Sequence, residues 1–325
     1  MTVNLINLII LGFITYIGAI ILGPMVIEYF KKLSVRQVVR EEGLESHHKK
    51  TGTPTMGGFI FLIPAIAITL IAAVIFDKFC MPLLVILLST VLFGAIGFID
   101  DYRKVIKKHN EGLTSREKLL AQLLVALPLA IYAYSINPFI WIPFTSIMLN
   151  VGLLKVLIVL FVVLATTNAV NLTDGVDGLS SSVTVLVLSF FVFIGTKLMM
   201  PYVSVYAMAL IGGLLGFLMF NKYPAKIFMG DIGSLALGGA VVAFSIVTNT
   251  ILLIPIVGVI YFAETLSVTL QVMYFKRTGK RIFKMSPLHH HYELSGWHEN
   301  KIVRNFSIVT LIGVLIGVIS IIGRL

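Results

Sequence analysis

MPLLVILLSTVLFGAIGFIDDYRK, residues 81–104, carries no charged residue before Asp100. Its apolar part is long enough to cross the hydrocarbon core of a bilayer, which takes about 20 residues of helix. The apolar run then gives way at once to two acids and two bases, Asp100, Asp101, Arg103 and Lys104. The stretch predicts a membrane-spanning helix that ends in a polar cluster at one membrane face.

The composition of the whole chain agrees with this reading. Of 325 residues, 58% are hydrophobic and 12% are charged, whereas soluble domains carry about 25% charge. A soluble interior of this size could not bury so much apolar surface. Apolar spans lie near 3–27, 57–76, 81–100, 117–136, 153–171, 180–199, 203–220, 234–249, 251–275 and 303–323. We predict an all-α integral membrane protein of about ten transmembrane helices, forming a single polytopic domain over residues 1–325.

Basic residues set the expected orientation. Lys and Arg are concentrated in the connections near 28–56, 101–116 and 276–302, and the connections on the other side hold only Lys78. Because Lys and Arg accumulate on the cytoplasmic side, ten crossings with both termini outside produce this asymmetry. The net charge of +10 is thereby explained by topology, and we expect no nucleic-acid partner. The first span reads as a retained helix rather than a signal peptide.

Two further features concern the opposite face and the redox chemistry. Residues 137–150, NPFIWIPFTSIMLN, predict an interfacial hairpin or a re-entrant segment. Cys80 is the only cysteine, so neither an intramolecular disulfide nor a cysteine metal cluster is expected.

Acids and histidines share the basic face. Of the 15 carboxylates, only Asp77 falls on the other side and only Glu264 falls mid-span, and all seven histidines are on the basic side. Asp and Glu contribute little to orientation, so insertion does not require this bias. A functional site at that face would explain it.

The first candidate motif is the end of the opening stretch. On a continuing helix, Lys104 shares a face with Asp100 and with Asp101, at spacings of four and three. Adjacent aspartates point about 100° apart, which favours separate roles. The pair could bind Mg²⁺, or one acid could deprotonate or orient a nucleophile. The alternative is a solvated helix end with an ion pair.

The second motif, NAVNLTDGVDG at 168–178, follows directly on an apolar span. Its polar residues recur every three positions and would lie on one helical strip. They are Asn168, Asn171, Asp174 and Asp177. Polar groups at this depth usually line a cavity. The alternative is a polar helix cap followed by a turn, which is compatible with the same sequence.

The third motif, NKYPAKIFMGDIGS at 221–234, places Asp231 among glycines. We expect Asp231 to be a turn former or a metal ligand, and Ser234 to cap the following helix. Phe228 could stack on a base, and packing against lipid or core is the commoner alternative.

Two more motifs carry histidines and basic residues. In SPLHHHYE, residues 286–293, three consecutive histidines on a helix would point in different directions, which disfavours a zinc site and favours hydrogen bonds to phosphate or sugar. Pro287 could begin a short helix there. HHKKTGTPTMGG at 47–58 lacks the Walker pattern and follows no strand, but this basic, threonine-rich entry to a helix offers anion-binding groups.

Five of these segments resemble the phospho-N-acetylmuramoyl-pentapeptide-transferases, a branch of the polyprenyl-phosphate N-acetylhexosamine-1-phosphate transferases. They are GTPTMGG at 52–58, FIDDYRK at 98–104, NAVNLTDGVDGL at 168–179, FMGDIGSLALGG at 228–239 and SPLHHHYE at 286–293. The resemblance implies a ten-helix bundle that depends on Mg²⁺. It also implies transfer of phospho-MurNAc-pentapeptide from UDP-MurNAc-pentapeptide to undecaprenyl phosphate, forming lipid I and UMP.

The same resemblance implies roles for individual residues. Asp231 would be the Mg²⁺ ligand, Asp100 the base or nucleophile with Asp101 beside it, and His290 a further catalytic group. The residues implied to hold the donor's uridine diphosphate are Lys50, Lys104, Lys118, Asn171, Asp174, Asp177 and Phe228. Those implied elsewhere in the substrate site are Thr55, Asn221, His289 and His291.

These implications place the protein in a bacterial cytoplasmic membrane as a multi-pass enzyme whose active site faces the cytoplasm, with membrane lipid around it. The sequence leaves open whether it forms a homodimer. One alternative is a UDP-GlcNAc:undecaprenyl-phosphate GlcNAc-1-phosphate transferase on the same fold. A membrane transporter is the alternative of another class, and it would favour charges at the bilayer midplane, where only Glu264 lies.

Overall fold

The computed structural model describes residues 3–33, 52–107 and 112–322, and these are mostly helical. The elements, in chain order, are α1 (Leu5–Lys32), α2 (Gly58–Ile75), α3 (Met81–Lys107), α4 (Ser115–Ile136), β1 (Phe139–Trp141), β2 (Met148–Asn150), α5 (Leu154–Thr173), α6 (Leu179–Lys197), α7 (Pro201–Asn221), α8 (Gly230–Val247), a 3₁₀ turn (Ile251–Leu253), α9 (Ile254–Val257), α10 (Val259–Thr278), α11 (Leu288–Glu293) and α12 (Glu299–Ile321).

Nine helices in the described ranges are long and apolar enough to cross a membrane, or ten if the bent pair after α8 counts as one span. This confirms the predicted all-α integral membrane protein. The break predicted between the spans near 234–249 and 251–275 is also present, because α8 ends at Val247 and the 3₁₀ turn begins at Ile251.

The span predicted near 251–275 is not one straight helix. The segment Ile251–Val257 meets α10 at an angle of 85°. Pro255 lies in the first turn of α9, where a proline favours the start of a helix. At the break, a Cβ atom on Gly258 would lie 3.0 Å from the backbone carbonyl oxygen of Ile254, so the glycine permits α10 to begin this close to α9.

The stretch at 137–150 forms a hairpin, which is one of the two structures predicted for it. Strands β1 and β2 pair antiparallel, with Ile140 opposite Leu149. The ammonium of Lys155, at the start of α5, donates to the backbone carbonyl oxygens of Asn137 and Phe139 at 2.9 Å each. This lysine is buried at the end of the bundle that has few basic residues, and carbonyl oxygens of the hairpin accept the hydrogen bonds of its ammonium group.

Helix α8 lies at the centre and is almost wholly buried. A Cβ atom on Gly97 of α3 would overlap the backbone carbonyl of Asp231, so only glycine permits this approach of the two helices. The contact brings the end of α3 against the beginning of α8. Sequence features that were read as separate motifs therefore meet at one end of the bundle.

Helix α4 begins beside the same place. Thr114 and Glu117 form a capping box at its amino terminus, and Glu117 forms a salt bridge of 3.0 Å with Arg103 on α3. The capping box fixes the first turn of α4, and the next residue, Lys118, reaches α8.

Candidate active site

Three carboxylates from two helices form the centre of the site. Asp100 and Asp101 come from α3 and Asp231 from the first turn of α8, and one oxygen of each lies within 4.8 Å of the other two. Asp100 and Asp101 are 3% and 4% exposed, so both are withdrawn from solvent. Asp231 lies more than a hundred residues from the other two aspartates in the sequence. A solvated helix end with an ion pair, the alternative reading of this motif, does not require such a third acid.

Backbone amides orient the two neighbouring aspartates separately. The N–H of Leu113 donates to Oδ1 of Asp100 at 2.8 Å, and the N–H of Ile232 donates to Oδ2 of Asp101 at 3.2 Å. The second bond comes from the amino-terminal turn of α8, where unpaired N–H groups favour an anion. Each carboxylate keeps its other oxygen for the cluster.

Two lysines neutralise part of the negative charge. Nζ of Lys104 lies 2.5 Å from Asp100, 3.7 Å from Asp101 and 3.2 Å from Asp231, which confirms the predicted helical spacing. Nζ of Lys118 lies 2.9 Å from Oδ2 of Asp231. If all three carboxylates are ionised, the two ammonium groups leave one negative charge uncompensated.

Asn171 connects the second motif to this cluster. Its amide Nδ2 donates to Oδ1 of Asp231 and to Oγ of Ser234, both at 2.8 Å. Ser234 does not cap α8 as predicted, because the helix begins earlier, at Gly230. The Ser234 hydroxyl lies inside the helix and donates to the Gly230 carbonyl oxygen at 3.1 Å.

The predicted strip of four polar residues ends at Asn171. Helix α5 stops at Thr173, which places Asp174 at its carboxyl-terminal cap and Asp177 in the following turn. Asn168 instead exchanges hydrogen bonds with Gln122 of α4, at 2.9 and 3.3 Å. The sequence motifs do not include Gln122. A lone amide in an apolar span is nevertheless a usable signal, and the structure buries this one.

Asp177 and Asn221 hold the turn after α5. Oδ2 of Asp177 accepts from the N–H of Ala225 at 2.9 Å. Oδ1 of Asn221 accepts from the N–H of Gly178 at 3.1 Å, and its Nδ2 donates to the Ile227 carbonyl at 3.0 Å. Both side chains are buried, and their roles toward a substrate stay predictions.

The electrostatic influence of the cluster reaches this turn. Burial raises the pKa of the Asp174 carboxyl well above its usual range, and the charges of Asp231, Asp101 and Asp177 raise it further. Two members of the carboxylate centre, Asp231 and Asp101, therefore act electrostatically on Asp174.

The segment at 52–58 borders the cluster through backbone pairing. The N–H of Phe228 donates to the Pro54 carbonyl at 2.9 Å, and the N–H of Gly57 donates to the Phe228 carbonyl at 2.8 Å. A Cβ atom on Gly230 would lie 2.9 Å from Oγ1 of Thr55, so this buried threonine lies beside the first residue of α8. Lys50, predicted to bind the donor, lies outside the described residues.

The histidines of α11 point to three different partners, as predicted. Nδ1 of His289 lies 3.1 Å from Oε1 of Glu264, and Nδ1 of His290 lies 2.7 Å from Oε2 of Glu293. Nδ1 of His291 accepts from the backbone N–H of Lys284 at 3.1 Å. Pro287 precedes the short helix α11 as its amino-terminal cap, which confirms the predicted helix start.

The aspartate cluster fits a hard divalent cation. Its donors are carboxylate oxygens, which Mg²⁺ prefers. Ligand oxygens in an octahedral Mg²⁺ site lie about 2.9 to 4.2 Å apart, given metal–oxygen distances near 2.1 Å, so separations up to 4.8 Å require a small contraction. In the described parts of the chain, this is the group of acids and histidines close enough to share an ion.

Comparisons with known proteins agree with this site. The family model of glycosyl transferase family 4 matches residues 83–249, which include all three aspartates. Three similar proteins each bear the name phospho-N-acetylmuramoyl-pentapeptide-transferase. The protein of Clostridium botulinum (strain Alaska E43 / Type E3) is 50% identical over 93% of both chains. That of Carboxydothermus hydrogenoformans is 49% identical over 90% of this chain and 92% of its own. That of Staphylococcus carnosus is 47% identical over 95% and 97%.

Proposed function

Because this chain belongs to glycosyl transferase family 4 and to the phospho-N-acetylmuramoyl-pentapeptide-transferases, we propose that it transfers phospho-MurNAc-pentapeptide from UDP-MurNAc-pentapeptide to undecaprenyl phosphate. The products are lipid I and UMP. The observation that carries the proposal is the convergence of Asp100, Asp101 and Asp231 with two lysines at the ends of membrane-spanning helices. Phosphoryl transfer needs such a combination of metal-binding oxygens and cations.

The location of the site suits these two substrates. The donor is water-soluble, whereas the acceptor's polyprenyl tail stays in the bilayer, so the two can meet only at a membrane surface. We place this surface on the cytoplasmic side of a bacterial cytoplasmic membrane, because Lys and Arg are concentrated at the same end of the bundle. The whole chain, residues 1–325, would be one polytopic domain, and all three carboxylates come from one copy, so the reaction itself does not require a homodimer.

Asp231 and its two neighbours, Asp100 and Asp101, would hold Mg²⁺. When bound, this ion supplies positive charge that stabilises the phosphates and the UMP leaving group. The chain's own cations, Lys104 and Lys118, already face Asp231 and would bind the phosphates of the incoming donor.

The simplest reaction is direct. An oxygen of the undecaprenyl phosphate attacks the β-phosphorus of the donor and forms a new phosphorus–oxygen bond. The bond from that phosphorus to the bridging oxygen breaks, and its electron pair leaves with UMP. Asp100 would orient the attacking phosphate, or would accept the proton of that phosphate if the phosphate is protonated. The Leu113 amide holds the Asp100 carboxylate in place for this role.

Other residues would hold the donor around this centre. Asn171 and Asp174 lie nearest to it in the chain's second motif, and Phe228 would stack on the uracil. The sugar and pyrophosphate would contact His290 and His291, which are the less buried histidines of α11. Besides Lys104 and Lys118, the residues that the resemblance implies for the substrate site are Lys50, Thr55, Asn171, Asp174, Asp177, Asn221, Phe228, His289, His290 and His291.

A reconstitution tests the proposal. Purified protein in lipid nanodiscs would receive undecaprenyl phosphate, Mg²⁺ and either UDP-MurNAc-pentapeptide or UDP-GlcNAc, and UMP release would be measured. We expect release with the first donor and none above background with the second. No release with UDP-MurNAc-pentapeptide from folded protein would refute the proposal.

A further inference from the structure

Glu264 is a fully buried carboxylate that the proposed reaction does not use. It lies on the apolar helix α10 and is 0% exposed. A carboxylate in such surroundings is strongly destabilising unless hydrogen bonds satisfy it. Its Oε1 accepts the backbone N–H of His289 at 3.2 Å and lies 3.1 Å from Nδ1 of the same residue. Its Oε2 has no hydrogen-bond partner among the described residues.

His289 continues this contact toward the turn after α5. The residue is 1% exposed, and within the described ranges its Nε2 has no hydrogen-bond partner. A Cβ atom on Gly175 would overlap Nε2, so the edge of the ring lies directly on the backbone between Asp174 and Asp177. One histidine therefore joins α10 to a turn that carries two of the predicted donor-binding acids.

Contact with a carboxylate favours one tautomer of the ring. An ionised carboxylate only accepts hydrogen bonds, so beside an ionised Glu264 the hydrogen of a neutral His289 ring lies on Nδ1. In the neutral ring, Nε2 is then the acceptor. The second bond, from the His289 backbone to the same oxygen, prevents the ring and the first turn of α11 from moving independently.

The orientation of His289 also affects its neighbour. The rings of His289 and His290 lie 4.2 Å apart between centroids, at an interplanar angle of 60°. Rotation of His289 would therefore displace His290, whose side chain is 17% exposed and nearer to solvent.

A role in packing alone does not explain the arrangement. A buried charge that serves stability gains most when all its hydrogen bonds are made. Among the described residues, Oε2 of Glu264 and Nε2 of His289 are both buried without hydrogen-bond partners, and unsatisfied buried polar atoms destabilise the folded state. In many proteins, a carboxylate that contacts one ring nitrogen of a histidine orients the ring for a functional contact at the other nitrogen.

We propose that Glu264 is a positioning residue: through paired contacts with the backbone and ring of His289, it fixes that ring's tautomer against Gly175 and so aligns the histidines of α11 with the donor. It acts through His289 and does not touch substrate. The proposal rests on the proposed transferase function for its kinetic consequence, but the contact itself can be tested without turnover.

The first test is spectroscopic. Protein labelled with ¹⁵N-histidine would be studied by solid-state NMR in lipid bilayers, with the His289 signals identified by their loss in His289→Gln. We expect one tautomer with hydrogen on Nδ1. In Glu264→Gln the amide can accept or donate, so a second tautomer should appear. Unchanged His289 signals in Glu264→Gln would overturn the proposal, and this outcome is independent of whether the enzyme releases UMP.

The second test is kinetic. In Glu264→Gln we expect kcat to fall about 10-fold or more, as for other orienting partners, with KM for the donor changed less than about twofold and thermal stability retained. Ser267→Ala is the matched control, because among the described residues this buried hydroxyl on the same helix donates to the Glu264 backbone carbonyl, at 2.7 Å, and not to its carboxylate. We expect its kcat to equal that of wild type.

A variant on the opposite side of the ring keeps the proposal testable if Glu264→Gln fails to fold. Gly175→Ala leaves the Glu264 carboxylate in place, but its Cβ atom must displace Nε2 of His289. We expect shifted His289 signals and a similar loss of kcat. Wild-type kcat in either folded variant would overturn the positioning role.

Discussion

The ammonium of Lys104 lies 3.2 Å from Oδ2 of Asp231, a residue 127 positions further along the chain. The same nitrogen faces Asp100 and Asp101, so it lies among all three carboxylates. A lysine in this position holds together three acids that would otherwise repel one another. It also occupies the oxygens that a divalent cation would need.

Replacing Lys104 should therefore separate cation binding from turnover. In Lys104→Met we expect tighter binding of Mn²⁺, used as a probe for Mg²⁺ and measured by electron paramagnetic resonance in nanodiscs. A several-fold gain is reasonable, because the competing ammonium is removed while the carboxylates remain. UMP release should fall at the same time, because the cation that would bind the donor phosphates is lost.

Arg103→Met is the matched control for that experiment. It removes one positive charge from the adjacent residue, but the Arg103 guanidinium contacts Glu117 and not the cluster. We expect Mn²⁺ affinity close to that of wild type. Equal affinities in wild type and Lys104→Met would show that Lys104 does not compete with the ion.

Asp231→Asn should abolish turnover without unfolding the protein. The amide has nearly the same shape, but it binds Mg²⁺ weakly and brings an N–H group toward Lys118 or Asn171. Loss of a group that acts on transition-state charge commonly lowers kcat by about 10²- to 10³-fold. Asp77→Asn is the control, since this exposed acid adopts φ 52°, which asparagine tolerates well. More than a tenth of wild-type UMP release in Asp231→Asn would remove Asp231 from the centre of the site.

Isotope exchange distinguishes the direct reaction from a covalent route through Asp100. In the covalent route, Asp100 would attack the β-phosphorus of the donor, take up the phospho-MurNAc-pentapeptide as an acyl phosphate and release UMP. Reversal of this step would carry labelled UMP into UDP-MurNAc-pentapeptide without any acceptor. The direct reaction predicts no exchange until undecaprenyl phosphate is added. Exchange in its absence, lost in Asp100→Asn, would refute direct attack.

Much of the architecture follows from the apolar runs of the sequence. The length of these runs predicts the helices, and the spacing of Asp100, Asp101 and Lys104 predicts their shared face. The approach of Asp231 to that face depends on how α3 packs on α8 at Gly97. A contact between distant helices leaves no periodic signal in either one.

The failures have the same physical origin. The strip drawn through Asn168, Asp174 and Asp177 assumed that α5 continues, but the helix ends at Thr173. Asn168 takes a partner from α4, Gln122, and no local pattern in either helix indicates that these two amides meet. The histidine directions were predictable because they depend only on three consecutive positions of one helix.

The close approach at Gly97 gives a direct test of the packing that assembles the site. The Cβ atom of Gly97→Ala would overlap the Asp231 carbonyl and force α3 away from α8. We expect a loss of stability of about 1–3 kcal/mol, typical of overpacking, together with a large loss of UMP release. In Gly94→Ala, one turn earlier, the new Cβ lies 3.3 Å from Cβ of Ala236 and should be accommodated. Equal activity in the two variants would contradict this account of the α3–α8 contact.

The raised pKa of Asp174 predicts how stability depends on pH. Burial and the neighbouring acids hold a proton on this carboxyl in the folded protein at pH values where the unfolded chain has released it. The folded state then binds more protons, so stability is highest below the ordinary aspartate pKa and falls as pH rises toward the folded value. Asp174→Asn cannot ionise and lacks this slope. Thermal unfolding in nanodiscs with EDTA, from pH 5 to pH 8, should therefore show Asp174→Asn gaining stability relative to wild type as pH rises. Parallel curves for the two proteins would mean that neither burial nor the charges of Asp231 and Asp101 raise the pKa of Asp174 in the folded protein.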